Sequence, residues 1–376
     1  MTEPALPSHL ASDRRVVLTL DAGRTNFVFS AIQGGVEVVD PVTLPSRAND
    51  LEACLATIVR GFEAACGAAP CRPVALSFAF PGPADYPQGI IGDLYNMPAF
   101  TGGVALGPML EERFSLPAFI NNDGVLFALG EAVAGLLPEI NRRLAQAGRS
   151  KRYRNLVGAT LGTGFGAGIV HDGRVLLGDT WGAAEIWLVR HKLDQRACAE
   201  ETVSIRGVRR AYAEWAGIPF ARSPEPREIH KIALGEAAGD RAAACEAFRR
   251  FGEVAGDALA TAVTLVDGLV VIGGGLAGAH ELFLPALVAE MNGSFDTPEG
   301  ELLPRLEMTA HNLADSADLA SFLGGESREL RVPGSTRRVV YEPVQRIGVG
   351  LTRLGTSRAV AVGAYVFALA ALDGRG

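Results

Sequence analysis

Two stretches of this chain share one layout, and that repetition constrains the fold more than any other feature. Val16–Asp40 reads VVLTLDAGRTNFVFSAIQGGVEVVD, and Leu156–Asp179 reads LVGATLGTGFGAGIVHDGRVLLGD. Each is an apolar strand, a Gly/Thr turn, a second apolar strand, a tight hairpin and a third strand. The hairpin dipeptides are Gly34-Gly35 and Asp172-Gly173, pairs that tolerate the positive φ of two-residue turns. A repeated meander points to two similarly built halves facing one another.

The intervening segments alternate in type. A helix is expected over Asp50–Cys66, a strand over Val74–Phe80 and a Pro/Gly-rich loop over Pro81–Phe100. AFINNDGVLFALGEAVAGLL then runs from a short strand through Asn121-Asn122-Asp123 into a helix. Asp123 falls at the helix start, where a carboxylate is favoured as a cap and by the dipole. Ala199–Arg250 reads as mostly helical, Val254–Val266 as a buried helix, and Gly268–Ile272 as a buried strand ending at Gly273-Gly274-Gly275. Asn292–Gly350 is polar and irregular, read as an insertion with its own strands, and a last helix covers Ser357–Leu372. Alternating β and α elements imply α/β layers.

Composition narrows the function classes. Apolar residues make up 48% of the 376 residues, enough for a sizeable core, and the net charge of −7 argues against a nucleic-acid scaffold. The run RSKRYR (Arg149–Arg154) is read as a solvated loop. Cys54, Cys66, Cys71, Cys198 and Cys245 form no CxxC pair, so they are expected as reduced thiols of a cytoplasmic protein. MTEPALPSHLAS lacks the layout of a signal peptide, and the apolar run Ala359–Leu372 falls short of a membrane span. There is no GxxxxGK[ST], HExxH, GxSxG or HRD with DFG, which removes P-loop enzymes, zincins, α/β-hydrolases and protein kinases.

The turn after the first strand is Asp21-Ala22-Gly23-Arg24-Thr25-Asn26. Gly23 lets backbone approach a phosphate, and the Thr25 hydroxyl adds a donor. Asp21 is placed to hold Mg2+ through its water shell. Gly162-Thr163-Gly164 offers the same features in the second copy. Either turn alone is read as a tight hairpin, but the pair at matching places favours phosphate binding. Gly273 to Gly278 matches GxGxxG, yet a dinucleotide fingerprint wants an acidic residue at a second strand end, and Asp296 lies in a polar loop. A triple glycine equally accepts the flat face of a nucleoside. Asp123 is the candidate base, able to orient a sugar hydroxyl and take its proton. Asn96, Asn122 and Glu185 carry groups suited to sugar hydroxyls.

These residues resemble the ROK family of sugar kinases, within the hexokinase/actin/heat-shock ATPase superfamily. DAGRTN resembles DxGxTN, PGPAD with NMPAF resembles PGxVD…NLPxW, and NNDGVLFALGE resembles NDANAAALGE. GTGFGAGIVHDGRVLLG, GAAEIWL and VIGGGL follow in family order. The resemblance implies an α/β, two-lobed actin-like ATPase (ribonuclease H-like) fold with duplicated halves and a cleft. The small lobe would cover 14–122, completed by helix 357–372, and the large lobe 123–356, with the insertion at 292–350. It implies ATP-dependent phosphorylation of a hexose or N-acetylhexosamine by a cytoplasmic homodimer, with ATP and Mg2+ and without nucleic-acid or membrane partners. Asp123 would be the catalytic base, and Asn96, Asn122, Glu185 and Glu200 sugar contacts. Asp21 would hold Mg2+. Gly23, Thr25, Asn26, Gly162, Thr163 and Gly164 would frame the phosphates, and Gly273, Gly274 and Gly275 would face the nucleoside.

Two departures stand out. The family's His after EIG is Leu188, beside Trp187. The zinc motif CxCGxxGC is reduced to DQRACAEETVS, so His191 and Cys198 are expected to hold no structural zinc. Rival readings are a catalytically silent sugar-binding protein and a sugar-responsive regulator; the latter wants a helix-turn-helix ahead of the first strand, where this sequence has only a short stretch.

Overall fold

The computed structural model describes residues 6–23, 25–94 and 99–374. Two compact units emerge from it. The first draws on the described residues of 6–139, 167–184 and 352–374, and the second on Ile140–Gly166 and Glu185–Leu351.

The first unit is built on β1 (Val17–Ala22), β2 (Asn26–Gln33), β3 (Val36–Glu37), β4 (Val42–Pro45), β5 (Ala75–Ala79) and β6 (Ala118–Asn121). Their order is β3–β2–β1–β5–β6, with β4 beside β2. The meander is antiparallel, whereas β5 runs parallel to β1 and β6 parallel to β5. The carboxyl ends of β1, β5 and β6 therefore share one edge. Successive side chains of a strand point to opposite faces. Leu18 and Leu20 accordingly join Phe29, Phe62 and Phe78 on one side, under helix α1 (Leu51–Ala68). Val17 joins Tyr365, Ala368 and Leu369 of the C-terminal helix Thr356–Leu372 on the other. A strand covered on both faces reads as a near-continuous apolar run, and β1 is buried from Val17 to Leu20 with Thr19 as its one polar residue there.

The Gly34-Gly35 hairpin has φ of 57° and 76°. Gly34 N–H donates to the Tyr365 hydroxyl at 3.0 Å, which ties the turn to the C-terminal helix. Helix α2 (Asp123–Ala134) lies against that helix so closely that a Cβ on Gly130 would meet the Ala359 carbonyl at 2.0 Å. This packing places residues 123–139 with the first unit, one helix beyond the sequence boundary at Asn122.

In the second unit β7 (Leu156–Leu161) pairs in parallel with β10 (Leu269–Gly273), β10 with β12 (Arg346–Leu351), and β12 with β11 (Thr309–Asn312). Strand β8 (Phe165–His171) carries the chain across the division, and β9 (Arg174–Val175) pairs with it after Asp172 and Gly173, whose φ are 47° and 80°. Both expected hairpins thus adopt the left-handed turn their dipeptides allow.

Helix α3 (Ile205–Trp215) precedes α4 (Arg241–Val266), a single 26-residue helix that runs through Gly252, where the sequence reading leaves a gap between Ala199–Arg250 and Val254–Val266. The glycine is there for another reason. A Cβ on Gly252 would stand 2.2 Å from the Phe283 carbonyl, so its absence lets α5 (His280–Met291) press against α4. Residues 292–350, expected as one insertion, are divided in the structure. Strands β11 and β12 and the helix Ser316–Gly324 belong to the body of the unit, while Ser294–Pro304 and Arg328–Tyr341 form two separate two-stranded hairpins.

Candidate functional site

In the first unit the predicted residues collect at the carboxyl ends of parallel strands. Asp21 is exposed near the end of β1, opposite Val28, and its carboxylate makes no ion pair or hydrogen bond among the described residues. After it come Gly23 and Thr25, whose carbonyl accepts from Ser46 N–H at 2.9 Å, and then Asn26, which opens β2. Across β5, β6 ends at Asn121 and the chain turns into α2.

That turn assigns the helix-start roles differently from the sequence reading. The capping oxygen is Oδ1 of Asn122, which accepts from Gly124 N–H at 2.8 Å. Asp123 is the first helical residue, exposed, with its carboxylate in the field of the helix N-terminus. Asn122 therefore retains its amide donors for a ligand. Asn121 is not singled out by sequence: its Oδ1 accepts from Asn122 N–H at 2.8 Å, while its buried Nδ2 has no partner. Asn96 and Arg24 lie outside the described residues.

The second unit brings together Gly162, Thr163, Gly164, Glu200, Gly273, Gly274 and Gly275. Thr160 of β7 stands in register with Gly273 of β10, so both glycine turns leave the sheet side by side. Gly274 has φ 88°, and a Cβ there would stand 2.2 Å from the Leu161 carbonyl. Only glycine fits so close an approach. Nothing lies within 4 Å of a Cβ built on Gly162 or Gly275, which leaves those turns open to a ligand.

Glu200, expected as a sugar contact, braces the Gly162–Gly164 turn. Its Oε2 accepts from Phe165 N–H at 3.0 Å, and Ile205 N–H donates to the Gly162 carbonyl at 2.9 Å. Residues 200–205 thus hold the Gly162–Gly164 turn from both ends, leaving Oε1 of Glu200 for another donor. Glu185 is exposed at the start of a short helical turn, and the Trp187 indole N–H donates to its carboxylate. Leu188, at the family's His position, is 57% exposed.

At the former zinc motif, His191 is buried and its ring is fully engaged. Nδ1 accepts from Leu193 N–H and Asp194 N–H, both at 3.0 Å, so the proton sits on Nε2, which donates to Thr202 Oγ1 at 2.8 Å. Burial, with the nearby Arg250 charge, holds the imidazole below its ordinary pKa. Among the described residues no three His, Cys, Asp or Glu side chains group to hold a metal ion, and no helix is long and apolar enough to cross a membrane.

Glu131 also escapes the sequence reading. Its carboxylate is completely buried and accepts from Leu136 N–H, Thr352 Oγ1–H, Arg353 N–H and Leu354 N–H. It holds the segment by which the chain re-enters the first unit.

Comparison with known proteins converges on one group. The sequence model of the ROK family matches residues 17–318. The crystal structure of a glucokinase from Parabacteroides distasonis ATCC 8503 is 54% identical, with a TM-score of 0.86 over 96% of this chain and 99% of that one. A ROK family glucokinase from Streptomyces griseus, solved with glucose and AMPPNP, shares the fold at 17% identity and a TM-score of 0.59, over 93% of this chain and 98% of that one. An N-acetyl-D-glucosamine kinase of Photobacterium profundum is 28% identical over 291 residues, 72% of this chain and 88% of that protein. A family match over most of the chain, with a solved relative superposing along nearly its whole length, makes this protein a member of the ROK family.

Proposed function

We propose that this protein transfers the γ-phosphoryl group of ATP to a hydroxyl of a hexose or N-acetylhexosamine, with Asp123 as the base. That it is a sugar kinase with the α/β actin-like ATPase fold rests on its relatives, which include glucokinases and N-acetylhexosamine kinases. The observation that carries the assignment of the base is the placing of Asp123. An exposed carboxylate stands at the first position of α2, beyond an asparagine that already caps the helix.

The chemistry follows from these positions. Asp123 accepts the sugar hydroxyl proton as the oxygen attacks the γ-phosphorus, the bond to the β-phosphate oxygen breaks, and ADP leaves. Gly23, Thr25 and the Gly162–Gly164 turn offer backbone N–H groups and hydroxyls to phosphate oxygens, and Gly273–Gly275 a bare surface to the nucleoside. Mg2+ would neutralise phosphate charge; the unpartnered Asp21 carboxylate at a strand end fits a hydrated ion, which needs few protein ligands. Asn96, Asn122, Glu185 and Glu200 are assigned to the sugar. We take the working assembly to be a cytoplasmic homodimer, as the resemblance implies.

The test is ADP release with Mg2+, ATP and a panel of sugars. Turnover with at least one hexose or N-acetylhexosamine, lost in Asp123→Asn while ATP still binds, is expected. A folded protein that binds sugars yet turns over none of them overturns the reading. Leu188 makes glucose against N-acetylglucosamine the most informative comparison, since an alkyl side chain there donates no hydrogen bond to a hydroxyl.

A further inference from the structure

The two hairpins of residues 292–350 carry opposite charge. Arg328–Tyr341 holds four arginines against one glutamate, a net +3, whereas Ser294–Pro304 holds three carboxylates and no base, a net −3. Every strand residue of both hairpins is exposed. An isolated two-stranded ribbon is marginal in water, and exposed strand edges invite pairing.

Their faces match in detail. In the basic hairpin Glu329 stands opposite Val340 and Arg331 opposite Arg338, so these four share one face. Arg338 pairs with Glu329 at 2.7 Å, but Arg331 has no ion pair and faces a like charge. Val340 beside them is 72% exposed. In the acidic hairpin Asp296 stands opposite Leu302, which is 70% exposed, while the opposite face carries Phe295 under the Arg305 guanidinium. Arg328 and Arg338 have carboxylate partners in Glu326 and Glu329, whereas among the described residues Arg331, Arg337, Asp296, Glu299 and Glu301 make no ion pair, so these five charges are left without a partner within the protomer.

We propose that these hairpins form a self-complementary interface between two copies of this chain, the basic hairpin of one seated on the acidic hairpin of its partner. Val340 meets Leu302, and Arg331 and Arg337 meet Asp296, Glu299 and Glu301. Two-fold symmetry makes the contact twice per dimer. The proposal rests on the homodimer reading above and supplies its surface, and it is tested without reference to phosphotransfer.

The experiment is sedimentation velocity of the full chain at micromolar concentration. Wild type should sediment as a dimer at low salt and shift toward monomer in about 1 M NaCl, where screening shortens the reach of charge to ~3 Å. Arg331→Glu/Arg337→Glu and Asp296→Arg/Glu301→Arg should each raise the dimer dissociation constant by about tenfold or more, with circular dichroism unchanged. Mixing the two variants in equal amounts should restore the dimer, because each altered hairpin then meets its complement. A wild-type monomer overturns both the interface and the homodimer reading. A dimer indifferent to the reversals, or variants that fail to reassociate when mixed, overturns the interface alone.

Discussion

The Thr352 hydroxyl donates to the buried Glu131 carboxylate at 2.6 Å, joining the last turn of α2 to the segment that leads into the C-terminal helix. The same carboxylate takes the backbone N–H groups of Leu136, Arg353 and Leu354. Glu131→Gln turns an amide N–H2 toward these donors and leaves buried groups unpaired. It should lower stability by about 3 kcal/mol, and Glu131→Ala by at least as much. Thermal unfolding followed by circular dichroism measures this, and a melting temperature equal to wild type would contradict the role given to Glu131.

Asp123→Asn removes the proposed base and leaves the cap, whereas Asn122→Ala removes the cap together with a proposed sugar contact. Loss of the base should reduce sugar-dependent ADP formation about a thousandfold while changing stability by less than about 1 kcal/mol. Asn122→Ala removes the capping oxygen and should cost about 1 kcal/mol. Steady-state kinetics beside urea melts test the pair. Asp123→Asn retaining half of wild-type turnover would remove it from the mechanism.

Glu200 should affect both substrates, since one oxygen holds the Gly162–Gly164 turn and the other is free. Glu200→Ala is expected to raise KM for both sugar and ATP by about tenfold, a loss of ~1.4 kcal/mol in each. Glu200→Gln keeps an acceptor for Phe165 N–H, so its effect should fall on the sugar KM alone. Equal shifts of both constants in the two variants would argue against the bracing role.

His191 gives the fold a share of acid sensitivity. Burial first, then the Arg250 charge, holds its folded pKa below 6.5. Above about pH 6.5 the ring is neutral in the folded and unfolded chain alike. As pH falls below that, the unfolded chain takes up the proton first, and stability drops until the folded pKa is passed. His191→Asn keeps an acceptor near Nδ1 and should flatten this part of the curve. Urea midpoints at about pH 7.5 and about pH 5.5 decide it. Because both ring nitrogens are already bonded, a chelator should leave the wild-type midpoint unchanged.

What the sequence reveals and what it hides have physical causes. The hairpin dipeptides Gly34-Gly35 and Asp172-Gly173 act through local φ preference, so they are legible without neighbours, and with the ordered motifs they lead to the family and the fold. The sequence reading assigns Ala199–Arg250 and Val254–Val266 separately, whereas one helix runs through Gly252, which serves close contact with α5. Strands β11 and β12 are hidden inside a polar stretch, since their pairing partners are distant in sequence. The sequence reading gives the cap to Asp123 rather than Asn122 because adjacent Asn and Asp are both good caps and one-residue boundaries are not fixed by propensity. Glu131 looks like an ordinary helix-surface glutamate; only tertiary structure surrounds it with donors.

The first sheet is roofed on one face by residues Thr356–Leu372, which are translated after the whole second unit. Throughout that interval Val17, Ile32 and Ala75 lack their cover, and the nascent meander presents a greasy flank to solvent or to a chaperone. Maturation of the amino-terminal portion is therefore a late event, and ribosome stalling anywhere ahead of Thr356 would release a species prone to clumping.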